Sequence, residues 1–174
     1  MKQPTECKAP AGSWIEAKVP GSYFHDAWSI DAAEPALDAL AQFVRVARRT
    51  PWWIDAAMRA RNRIVAVFGI RNLGALSELR EPAEGGVYQP GDRVGIFTLM
   101  SLSENEVLLG DSDRHLDVVV SVHRRMSDDR QTAEVTVTTV VNVHNWLGRA
   151  YMLPVRPAHR VIARAMVRAV GQAA

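Results

Sequence analysis

From residue 93 onward the chain alternates apolar and polar side chains with a period of two, and short polar turns interrupt the pattern. Segments 93–102, 106–109, 116–125 and 133–144 read as strands. The connections Ser103-Glu104-Asn105, Gly110-Asp111-Ser112-Asp113 and Ser127-Asp128-Asp129-Arg130 are too short for a crossover, so neighbours should pair as antiparallel hairpins. This run constrains the fold most, because a sheet with an apolar side has to be covered. On 133–144, Val135, Val137, Val141 and Val143 share a side with Thr139, while Glu134, Thr136, Thr138 and Asn142 share the other. On 116–125, Leu116, Val118, Val120 and Val122 oppose Asp117, Val119, Ser121 and His123. The expectation is a sheet apolar toward its helices and polar toward water.

Upstream, 23–30 alternates well enough for a first strand. Glu34-Pro35 opens a helix to about Arg48, with Leu37, Leu40, Val44 and Ala47 on one face. Thr50-Pro51 starts a second helix over 52–68, with Thr50 as cap and Gly69 as stop. Residues 70–92 carry Gly, Pro and charge and read as an irregular connection. A closing helix follows Gly148, Pro154 and Pro157 and reaches about Val170. Strands segregated from helices mean an α+β domain, with the C-terminal helix as the natural lid. Residues 1–20, polar and punctuated by prolines, read as a flexible N-terminal segment, and 21–174 as a single domain, which a length of 174 residues suits.

Charge and cysteine narrow the classes. The net charge is +2, but Glu134 is the last acidic residue, so the last forty residues carry +5 and the rest −3. Aromatic and basic residues do not interleave, which argues against a nucleic-acid partner. No apolar run reaches the ~18 residues that a membrane span needs, and the start has no signal-peptide core. The single cysteine, Cys7, forms no internal disulfide, and a cytoplasmic setting is the expectation.

Several stretches are specific in wording: Arg49-Thr50-Pro51-Trp52-Trp53, Arg61-Asn62-Arg63-Ile64-Val65 with Phe68-Gly69, and Gly91-Asp92-Arg93-Val94-Gly95. Leu108-Leu109-Gly110-Asp111-Ser112-Asp113-Arg114-His115-Leu116-Asp117 belongs with them, as do Val143-His144-Asn145-Trp146-Leu147-Gly148-Arg149-Ala150-Tyr151-Met152 and Pro157-Ala158-His159-Arg160. Together they resemble one bacterial family, domain of unknown function number 2867. The element order also matches the helix-grip fold of the START and Bet v 1-like superfamily, which includes polyketide cyclase-like proteins. That resemblance implies a curved antiparallel sheet wrapped around a long C-terminal helix, two helices after the first strand, and an apolar cavity between sheet and helix. It brings no reaction and no catalytic residues. Related domains fused behind a nucleotide-binding dehydrogenase-like domain suggest a small-molecule context, but no GxGxxG occurs here.

Arg61 is the most informative single residue. On a wheel of the second helix, Trp53, Ala57, Ala60, Ile64 and Phe68 form an apolar stripe, and Arg61 falls among Ile54, Val65 and Phe68 inside it. A guanidinium placed there must be paired. It meets either an acidic group on a ligand, or an internal partner such as Glu106, Asp111 or Asp117, or it snorkels to the stripe's edge. The acidic turn at 110–113 reads as turn chemistry, and the five histidines lack any zinc spacing, so no metal and no cofactor are expected. His144 ends a strand near the expected cavity mouth, and His159 opens the closing helix; neither has an adjacent acid in sequence. Arg156, Arg160, Arg164 and Arg168 form a basic stripe opposite Val161, Ile162, Ala165, Met166 and Ala169.

The leading expectation is noncatalytic binding of a small hydrophobic or amphipathic molecule, with Arg61, Trp53, Phe97, Asp117, Thr139, His144 and Met166 as its contacts. Two alternatives stand beside it. One is a polyketide cyclase or dehydratase-like enzyme in which His144 or Asp117 moves protons. The other is an interaction module that uses the basic C-terminal helix.

Overall fold

A computed structural model describes residues 2–66, 74, 77–79 and 86–173, with side chains for all of these except 64–66. Among the described residues, seven strands form one sheet: β1 (Thr5–Glu6), β2 (Phe24–Asp31), β3 (Arg93–Val94), β4 (Phe97–Leu102), β5 (Glu106–Ser112), β6 (Leu116–Met126) and β7 (Ala133–Val143). Their order is β1-β2-β7-β6-β5-β4-β3, with every neighbouring pair antiparallel. The expected hairpins are there, and β6 and β7 pair over their full length from Leu116↔Val143 to Met126↔Ala133. Together with the three α-helices among the described residues this is an α+β fold whose layout fits a helix-grip-like arrangement.

Two strand boundaries differ from the sequence reading. Segment 93–102 is a tight hairpin, β3 and β4, that reverses at Gly95 with φ of 62°. Only glycine reaches that conformation without strain. The turn expected at 110–113 starts later, because Gly110 to Ser112 stay paired with β6. Asp113 makes the turn by accepting hydrogen bonds from the amides of His115 (2.6 Å) and Leu116 (3.0 Å).

Helix α1 spans Ala39–Arg48, so it begins after the expected Glu34-Pro35. Asp38 is its cap, accepting from the Ala41 amide at 2.7 Å. The stretch before it is a run of bends and turns, in which Leu37 N donates to Glu34 O at 3.3 Å and Arg124 donates to the carbonyls of Pro35 (3.5 Å) and Leu37 (3.1 Å). Helix α2 spans Trp52–Ala66; its expected end at 68–69 and most of the 70–92 connection lie outside the described residues. Thr50 does not cap it, since the hydroxyl donates to Ala47 O at 2.7 Å.

Helix α2 is also rotated relative to the expected stripe. Ile54, Met58, Arg61 and Asn62 turn inward, whereas Trp53, Ala57 and Ala60 are exposed. Ile54 is fully buried against Ile96, and buried Asn62 donates to Gly74 O at 3.1 Å. A polar group with a partner is as good an interior residue as an apolar one, which a hydrophobicity wheel does not register.

Helix α3 spans Trp146–Val170 and runs through Pro154 and Pro157 instead of starting after them. The Asn145 side chain caps it, accepting from Gly148 N at 3.1 Å. Each proline leaves the carbonyl four residues earlier unbonded. Those carbonyls belong to Ala150 and Leu153, both at exposed positions accessible to solvent.

Helix α3 packs along β2 and β7, and α1 crosses β5 and β6 on the same face. Between them lies the main core, built around Trp28, Ile30, Val107, Leu109, Val122 and Val135 with Val46, Val167 and Val170. The opposite face is not simply open to water. The first twenty residues, read from their polarity as a flexible segment, add β1 to the sheet edge and lay Ile15 across this face. Ile15 is fully buried against Leu108 and Val140. Buried Glu106 holds that segment, accepting from the amides of Trp14 (2.7 Å) and Ile15 (3.2 Å) and from Ser121 Oγ (2.7 Å).

Candidate functional site

Antiparallel register sorts the candidate residues by face, because paired residues point the same way and neighbours along a strand alternate. Thr139 pairs with Asp26 and Val120 on the helix-covered face, where Phe97 packs edge-on to Phe43 with ring centroids 6.3 Å apart. Met166 of α3 and Ile54 of α2 close over the same region. Asp117 pairs with Asn142 and Ser112 on the other face. Phe97, Thr139, Met166 and Arg61 therefore gather on the helix side, while Asp117 and His144 lie behind the sheet and Trp53 lies on the outer side of α2.

Asp117 and His144 do meet. His144 Nε2 is 3.0 Å from Asp117 Oδ2, and Ser112 Oγ donates to Asp117 Oδ1 at 2.5 Å. Partial burial pushes the Asp117 carboxyl up, but the Ser112 and His144 bonds and the His144 charge outweigh it, and its pKa falls below the ordinary value. Both side chains are more than a third exposed. The serine is bonded to the acid rather than to the histidine, so the three do not stand in the order of a Ser-His-Asp triad.

The helix-covered face is incompletely closed. Leu116, Val118, Val120 and Val137 all point to that side, yet each retains accessible surface, in contrast to fully buried Val107, Leu109 and Val135. The reason is geometric: α3 lies over β2 and β7, α1 lies over β5 and β6, and α2 touches Ile96, Phe97 and the Ile162–Met166 stretch of α3. Helix α3 contributes half-buried Tyr151, Val155, Ile162 and Met166 to this region, whereas Val167 and Val170 pack fully.

Arg61 stands at one end of this apolar strip. Its Nε donates to the Tyr151 hydroxyl at 3.0 Å and one terminal nitrogen to Asn62 Oδ1 at 2.8 Å, with the guanidinium 5.3 Å from the Tyr151 ring centroid. Glu106 holds the N-terminal segment, Asp111 pairs with Arg93 at 3.1 Å, and Asp117 pairs with His144.

The structure adds a pair that sequence reasoning missed. Asp26 of β2 has a side chain only 3% exposed and lies 3.1 Å from His159 Nε2 of α3. Its second oxygen accepts from Trp28 Nε1 at 3.1 Å, and Phe24 stands edge-on to the His159 ring. Burial pushes the Asp26 carboxyl up, but the His159 bond and charge and the Trp28 bond together bring its pKa below the ordinary value. A signal existed: Asp26 shares its parity with Phe24, Trp28 and Ile30, so a carboxylate was pointing into the core. Among the described residues no group of three or more His, Cys, Asp or Glu is placed to hold a metal ion.

The model of the family described as protein of unknown function (DUF2867) matches residues 18–166. No curated protein and no solved structure matches the chain.

Proposed function

The chain belongs to the DUF2867 family, and from that premise we propose that it binds a small, mainly apolar molecule between the sheet and helices α2 and α3. The observation carrying this reading is the accessible surface left on Leu116, Val118, Val120 and Val137 on the face the helices cover. Side chains there are apolar, and a few polar groups converge at the margins, which is the usual make-up of a ligand site. Arg61 and the Tyr151 hydroxyl mark the end that would receive an acidic group, because a guanidinium fork matches a carboxylate in two-point contact. The superfamily resemblance, START and Bet v 1-like, supports the same reading.

The test is a titration with 8-anilinonaphthalene-1-sulfonate, an apolar aromatic probe with one anionic group. Saturable one-to-one binding is expected, with at least a tenfold weakening in Val120→Phe and an unchanged near-ultraviolet dichroism spectrum. Absence of saturable binding, or equal affinity in the variant, overturns the proposal.

The Asp26–His159 pair favours a second reading, an enzyme that moves a proton on the bound molecule. Asp26 orients His159 through Nε2, which leaves Nδ1 as the nitrogen for exchange. On this reading His159→Gln keeps probe affinity within about twofold but abolishes turnover of any molecule recovered with the protein.

A further inference from the structure

Helix α3 has an outward side as well as the one that covers the sheet. At 100° per residue, Trp146, Arg149, Ala150, Leu153, Pro154, Pro157, Arg160, Val161 and Arg164 fall in one sector, and all are exposed. Trp146 is 77% exposed, Leu153 73% and Val161 61%. No acidic residue occurs in the 25 residues of α3. A helix face that merely meets water mixes acids with lysines and does not present a tryptophan and a leucine over about 10 Å of helix. The arginines are only lightly engaged. Arg160 lies 3.9 Å from Glu6 with both side chains more than half exposed, and Arg164 sits 5.3 Å from the Trp28 ring.

We propose that the outward face of α3 docks on an anionic membrane surface, with Trp146, Leu153 and Val161 in the headgroup layer and Arg149, Arg160 and Arg164 on lipid phosphates. Charge complementarity selects the occupant: a basic face on a helix without acids of its own, flanking large apolar side chains, is the composition of an interfacial helix. Tryptophan suits the membrane–water boundary, and arginine stems lie along the apolar layer while their heads stay with phosphate. This is docking onto the surface, since none of the described helices is long and apolar enough to cross a membrane. The sheet-covering side of α3 stays where it is, so surface docking and the cleft are compatible.

The experiment is co-sedimentation with vesicles of phosphatidylcholine alone and of phosphatidylcholine with 30 mol% phosphatidylglycerol. The full chain is compared with Trp146→Ala/Leu153→Ala and Arg149→Gln/Arg160→Gln, both exposed pairs whose loss leaves the core untouched. Wild type is expected to bind only the anionic vesicles and to be released by 0.5 M salt. The arginine pair should weaken partitioning about 25-fold, at about fivefold per charge near an anionic surface. The apolar pair should weaken it at least tenfold and remove a blue shift of tryptophan emission. Equal binding to neutral vesicles, no sedimentation with anionic ones, or indifference to both variants overturns the proposal. A dimer in light scattering that Trp146→Ala/Leu153→Ala dissolves, without vesicle binding, assigns the face to a second copy and overturns it too.

Discussion

Replacing Asp26 with alanine tests how the closing helix is held to the sheet. The carboxylate accepts from Trp28 Nε1 and meets His159 Nε2, each at 3.1 Å, and its side chain is 3% exposed. Hydrogen bonds to a buried charge contribute about 1.5–3 kcal/mol each, and removing the acceptor strands an indole N–H and an imidazole between sheet and helix. Part of that loss is offset by no longer burying a charge, which leaves a net cost of about 3 kcal/mol. With a urea slope of about 2 kcal/mol/M, the unfolding midpoint should fall by about 1.5 M. Asp26→Asn keeps one oxygen acceptor and should lose about half as much. The pH dependence follows from the lowered Asp26 pKa. A carboxyl with a depressed folded pKa contributes stability above its unfolded value, and that contribution is lost as pH falls through the folded one. The difference between wild type and Asp26→Ala should therefore persist at pH 5 and narrow as the pH falls below about 4. A difference under about 1 kcal/mol at pH 7, or one that stays constant down to pH 2, would refute this reasoning.

Three further outcomes are expected. Ile15→Ala should destabilise the protein by about 3 kcal/mol in urea unfolding, because a fully buried isoleucine leaves a cavity against Leu108 and Val140; an effect below about 0.5 kcal/mol would return residues 1–20 to the status of a tail. Asn145→Ala removes the bond to Gly148 N and should cost about 1 kcal/mol by the same measurement. His144→Ala should change stability by less than about 1 kcal/mol, since its pair with Asp117 is more than a third exposed on both sides.

What the sequence disclosed and what it withheld have the same physical root. Alternation reports which residues share a face, so the pairing of β4 through β7 was legible from residues such as Val118, Val120, Val135 and Val137. It does not report which segment covers a face. Nothing in a proline-punctuated start announced that Ile15 would lie on Leu108 and Val140, because that contact joins residues more than ninety positions apart. The wheel for α2 weighed Trp53 and two alanines above Asn62, and tertiary hydrogen bonding decided otherwise. Prolines in α3 suggest a late start, yet the Asn145 cap and the exposed positions of Ala150 and Leu153 let the helix begin at Trp146. Arg61 was recognised as an inward charge, but Tyr151 stands ninety residues away in sequence. Asp117 and His144 were singled out separately and proved to be partners, on the face away from the helices. The buried Asp26–His159 pair was visible only as a parity anomaly in β2.

Native mass spectrometry of the freshly purified chain, followed by denaturing extraction, tests the central claim most directly. The proposed ligand binding on the helix-covered face predicts one small molecule per chain, released on unfolding and absent from Val120→Phe. An apo mass for wild type, with no adduct regained after incubation with apolar carboxylic acids, would contradict it.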